Sequence, residues 1–108
     1  MRFIKRLRTA FYLRPELLDF AHDMETTLRR HDHKTHWSTC RTEYLVLRLR
    51  NKILELSLAI VAERSASELR AEAVDVANYA MMIGDVASRK RIAYQWFEDE
   101  TVRRMQHR

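Results

Sequence analysis

An all-α fold is predicted by two shortages and one pattern. Glycine and proline occur once each in 108 residues, too few for the turns and bends of an all-β chain. Apolar residues make up 46% of the chain and recur at three- and four-residue spacing, the period of a helix with one buried face. The length suits one domain with a small core and is too short for two.

The elements follow in chain order. Residues 1–14 carry five basic residues and no acid, with Phe3, Ile4, Leu7 and Phe11 at helical spacing. They read as a basic amphipathic arm that docks on its own domain or on a partner subunit, with a membrane or nucleic-acid surface as the other use of such an arm. Pro15 suits the first turn of a helix. Glu16 and Asp19 favour its positive end, and Leu17, Phe20, Ala21, Met24 and Leu28 form one stripe, which predicts a first long helix over residues 15–30. Residues 31–38, His-Asp-His-Lys-Thr-His-Trp-Ser, show no periodicity and read as a loop.

A second helix is expected over residues 38–62. Leu45, Leu49, Ile53, Leu56 and Ile60 lie on one face, and Leu47, Leu54, Leu58 and Val61 on another. Two apolar faces place a helix at the centre of a bundle or against a second subunit. Ser65 and Glu68 have capping-box spacing, so a third helix starts there and runs to about residue 87, with Ala73, Ala77 and Ala80 allowing close approach and Val76, Met81 and Ile83 adding bulk. Gly84 marks a kink or an early stop, and a fourth helix with Ile92, Trp96, Phe97 and Val102 is expected over residues 89–105.

Charge and cysteine usage bound the function classes. A net charge of +5 and a pI near 9.8 favour an anionic partner such as a nucleotide, a nucleic acid or a membrane surface. The Arg89-Lys90-Arg91 cluster adds to the nucleic-acid reading, although no base-reading motif accompanies it. A single cysteine, Cys40, forms neither an intrachain disulfide nor a multi-cysteine zinc site and fits a reducing, cytoplasmic setting. With no base predicted beside it, Cys40 reads as a buried residue at a helix start rather than a nucleophile. No apolar run reaches the roughly 20 residues of a membrane span, and no secretory signal is present. His31, His33 and His36 have only Asp32 as a nearby acid and read as solvated loop residues rather than a zinc site.

The chemistry-bearing residues are acids on neighbouring helices. Glu72 and Asp75 are one turn apart on the third helix, Tyr79 continues their line, and Glu55 meets them if the second helix packs antiparallel. Oxygen ligands from two helices suit Mg2+ or Mn2+. These acids interrupt an apolar stretch, where a carboxylate needs a partner. Lys52, one turn before Glu55, projects an ammonium from the same face.

Over about residues 17–87 the chain resembles the MazG-like all-α nucleotide pyrophosphohydrolases, most closely their short phage-type members. The resemblance rests on Phe20-Ala21 with Met24-Glu25 and Leu28, on His31-Asp32-His33-Lys34 leading to Trp37, on Leu47-Arg48-Leu49 leading to Glu55-Leu56 with Ala59-Ile60, and above all on the run from Glu72 to Ile83. It implies a four-helix bundle completed by dimerisation or higher assembly. It also implies a site in which Glu55, Glu72 and Asp75 bind Mg2+, or Mn2+, and position a water for attack on a (deoxy)nucleoside triphosphate, releasing pyrophosphate. Lys34 would meet phosphate and Trp37 would stack on the base; read without the resemblance, Trp37 is a core anchor at the start of the second helix.

The departures matter as much. Lys52 stands where the family carries the first acid of its first motif, Asn51 where short members carry another, and Thr35 and His36 where relatives place two glycines. An ammonium in place of a carboxylate changes the local charge by two units, and a unit charge at about 4 Å is worth about 4 kcal/mol at an effective dielectric near 20. The expectations are therefore two: a Mg2+-dependent pyrophosphohydrolase, or a catalytically impaired relative that binds nucleotide or a protein partner, with Lys52 bridging to Glu72 or Asp75 in the cation's place. Asp85 is expected to cap or to pair with Arg89.

Overall fold

The computed structural model describes residues 12–32 and 36–106, with the backbone alone for 90–102. Every regular element among them is helical: α1 (Pro15–Arg30), a 3-10 turn (Trp37–Thr39), α2 (Thr42–Val61) and α3 (Ala66–Gln106). The all-α class holds. Lys34, His33 and most of the basic arm lie outside the described residues.

Helix α1 has the predicted bounds. Pro15 opens it, Glu16 lies in its first turn, and Arg29 and Arg30 lie in its last, each charge complementing the helix dipole. Its apolar stripe is only partly covered, and none of its residues is fully buried. The Arg70 guanidinium of α3 fixes its outer edge by bonding Asp19 at 2.8 Å and Asp23, while lying 5.5 Å from the Phe20 ring centroid. The Asp23 hydrogen bond, with both carboxylates near, holds the Arg70 pKa above its ordinary value.

Helix α2 begins later than the apolar pattern predicts. Cys40 and Arg41 are extended, with ψ of 147° and 145°. They follow a separate 3-10 turn whose Ser38 amide donates to the His36 ring. A local side-chain cap competes here with helix extension. At its far end α2 closes in a Schellman turn: the Arg64 amide donates to the Ala59 carbonyl at 3.1 Å and the Glu63 amide to that of Ile60 at 3.0 Å. Glu63 occupies the left-handed position, φ 53°, where glycine is the usual residue.

Ser65 then starts α3 as its spacing predicts. Its hydroxyl accepts from the Glu68 amide at 3.2 Å and donates to the Glu68 carboxylate at 3.3 Å, so the Glu68 side chain returns to the hydroxyl rather than to the Ser65 amide. The expected break near residues 87–89 is absent, and one helix of 41 residues runs through Gly84. Gly84 has no positive φ, and the Ser88 hydroxyl bonds its carbonyl at 2.8 Å. A helix-interior glycine costs only about 1 kcal/mol, which neighbours with good helix propensity absorb.

The core is narrow. Leu45 and Val86 are 1% exposed, and Val74 and Asn78 are 3% exposed. Val74, Asn78 and Val86 face the centre from α3; of the alanines beside them, Ala73 and Ala77 are half-buried and Ala80 is exposed. Of the two apolar faces of α2, the one bearing Leu45 turns inward, although Ile53 and Ile60 on its edge stay open. No helix among the described residues is long and apolar enough to cross a membrane.

Candidate functional site

Antiparallel packing of α2 on α3 brings their polar rows together across a cavity of about 550 Å3. From α2 come Tyr44, Arg48 and Lys52, each one turn after the last; from α3 come Asp75, Asn78, Tyr79 and Met82. The end of α1 adds Thr27, Leu28, His31 and Asp32, and the 3-10 turn adds His36, Trp37 and Cys40. A space of this size lies within the range of small-molecule sites, about 300–1,000 Å3. Its wall is aromatic and polar, with two basic side chains, Arg48 and Lys52, and two acidic ones, Asp32 and Asp75.

One end of the cavity is fully tied. The Trp37 indole N–H donates to Asp85 at 2.9 Å, and the same carboxylate oxygen takes Arg89 at 3.1 Å. The Trp37 bond first, then Arg89, holds the Asp85 carboxyl below its usual range. His36 stacks on the indole with 3.9 Å between ring centroids. Trp37 is half-buried and is thus an anchor, though of the 3-10 turn rather than of α2 itself. The Asp85–Arg89 pairing agrees with the expected structural role.

At the other end, the Lys52 ammonium lies 3.3 Å from Glu55 and 3.8 Å from Asp75. Its side chain is 18% exposed, against 50% for Glu55 and 34% for Asp75. The lysine is the most deeply set member of the trio. One oxygen of Glu72 is buried without a hydrogen-bond partner. Among the described residues no three His, Cys, Asp or Glu side chains are grouped to hold a metal ion. An ammonium stands between two of the acids that the resemblance implies as metal ligands. Glu55 and Asp75 are brought together, but around an ammonium.

Two cavity residues lacked a chemical role in the sequence reading. Arg48 donates to the Tyr79 hydroxyl at 3.4 Å, its guanidinium lies 5.7 Å from that ring's centroid, and this hydrogen bond holds its pKa above the ordinary value. Asn78 donates to the Met24 carbonyl at 3.3 Å, which leaves its own carbonyl oxygen buried and unpartnered. Their spacing was the available signal: Arg48 is one turn from Lys52, and Asn78 one turn from Asp75.

The chain matches no protein-family model, no curated protein and no solved structure.

Proposed function

We propose that this chain is a nucleotide-binding module on a MazG-like helical scaffold, in which Lys52 has taken the place of the divalent cation. The observation that carries the reading is the ammonium set between Glu55 and Asp75. An internal cation already offsets the charge of these acids, and a second, divalent one would meet it at close range. The cavity supports a planar, hydrogen-bonding ligand. Trp37, Tyr44 and Tyr79 supply aromatic surface, Arg48 supplies a fixed cation, and the hydrogen-bonded indole is already ordered before a base arrives.

The second reading, Mg2+-dependent release of pyrophosphate from (deoxy)nucleoside triphosphates, is favoured by the unpartnered Glu72 oxygen. A buried carboxylate oxygen without a donor is the kind of atom a metal or a metal-bound water satisfies.

Calorimetric titration with nucleoside mono- and triphosphates, in EDTA and then in Mg2+, separates the two. Binding of equal strength in both media, quenching of tryptophan emission and no pyrophosphate release are expected. Pyrophosphate release that requires Mg2+ would overturn the metal-free reading and establish the enzyme.

A further inference from the structure

The family likeness implies a triphosphate ligand, but the charges around the cavity favour a smaller one. Two basic side chains line it from α2, one turn apart. Lys52 is committed, with its ammonium 3.3 Å from Glu55 and 3.8 Å from Asp75. Arg48 is not. Its partner is neutral, the Tyr79 hydroxyl, which accepts the Nε–H at 3.4 Å, and among the described residues no ion pair or hydrogen bond occupies its two Nη groups. Tyr79 thus orients the guanidinium without neutralising it. An arginine held at Nε still presents its Nη1–Nη2 edge, a fork that matches two oxygens of one phosphate.

We infer that the cavity selects a nucleoside monophosphate over the corresponding triphosphate, with Arg48 as the phosphate anchor and the Tyr79 hydroxyl as the group that orients it. The inference rests on the nucleotide reading above and names the ligand of that same site. A phosphate monoester carries about 1.5–2 negative charges at neutral pH, and the guanidinium meets them with its charge and its two Nη groups. The further phosphates of a triphosphate find no such partner on α2. The next cation along the helix is Lys52, and a phosphate there enters beside Glu55 and Asp75, with the buried Glu72 oxygen one turn before Asp75 on α3. Asp32 adds an acid from the end of α1. Like charges at such range repel. Selectivity then comes from what the longer ligand meets rather than from a tighter fit of the shorter one.

Calorimetric titration of the full chain in EDTA tests this, with AMP, CMP, GMP and UMP, their nucleosides, their triphosphates and inorganic phosphate as probes. For the base that binds best, the monophosphate should bind at least about tenfold more tightly than either the triphosphate or the nucleoside. Arg48→Gln should weaken the monophosphate about tenfold and leave the nucleoside within about twofold, so that nucleoside binding reports an intact cavity. Arg48→Lys, which keeps the charge without the fork, and Tyr79→Phe, which keeps the ring without the acceptor, should each weaken it less. Glu55→Gln combined with Asp75→Asn releases Lys52 and should strengthen triphosphate binding by about tenfold, closing the gap. A triphosphate that binds the unmodified protein as tightly as the monophosphate, monophosphate binding indifferent to Arg48→Gln, or a gap unchanged in the double variant would each overturn this inference and leave the nucleotide reading standing. Binding of inorganic phosphate alone, or of none of these probes, would overturn both.

Discussion

The two ends of the cavity treat carboxylates in opposite ways. At the Trp37 end, a single acid, Asp85, receives an indole N–H and a guanidinium. At the Lys52 end, two acids share one ammonium at 3.3 and 3.8 Å, and one turn before Asp75 on α3 a buried oxygen of Glu72 has no hydrogen-bond partner. The first arrangement fixes a loop. The second leaves two carboxylates sharing one ammonium, with oxygen lone pairs open to a ligand's N–H groups. The difference separates a fully tied polar cluster from a partly open one more clearly than residue type does.

Removing the packing between the two ends should have the largest effect. Leu45 is 1% exposed and lines the cavity, so Leu45→Ala should cost about 3 kcal/mol, read from urea unfolding. If the ends depend on a common core, ligand binding and the near-ultraviolet signal of Trp37 should be lost together.

Reversing the charge at the Lys52 end should have the next effect. Lys52→Glu sets a third carboxylate against Glu55 and Asp75, and Mn2+ should then raise the melting temperature, by up to about 3 kcal/mol of stability at a hundredfold excess over Kd. The unmodified protein should not respond. A rise of equal size in both proteins would show that the ammonium does not exclude the metal.

The smallest effect is confined to acid. The folded-state carboxyl of Asp85 lies below its usual value. The stability from its tie to Trp37 and Arg89 is therefore fully present above the unfolded-state value and is lost as pH falls through the depressed one. Tryptophan emission should change in that acid range, and Asp85→Asn, which cannot titrate, should abolish the change while leaving emission at neutral pH close to that of the parent.

Local signals were the legible part of the chain. Pro15 and the loss of periodicity after Arg30 marked both ends of α1, and Ser65 with Glu68 marked the start of α3. Gly84 misled, because its effect on a helix is set by the whole segment rather than by one residue. The cap formed by His36 was hidden for a related reason: a histidine acting as acceptor for a backbone amide leaves no periodic trace. At the site, Lys52 was legible as an intruder among acids, since charge reversal needs only sequence position. Arg48 and Asn78 were not, because their meaning depends on which hydrogen bonds the packing supplies. Tyr79 gives Arg48 an acceptor, and Met24 satisfies only one side of Asn78.

The unbroken run of α3 has a mechanical consequence. Its last contact described with the 3-10 turn's tether is Arg89 on Asp85, yet the helix continues to Gln106. At about 1.5 Å per residue the continuation projects roughly 25 Å from that point. Helical geometry sets the distance and rotational phase of that far end by residue count, so inserting two residues after Ser88 would turn it by about 200° while leaving the cavity's own contacts in place.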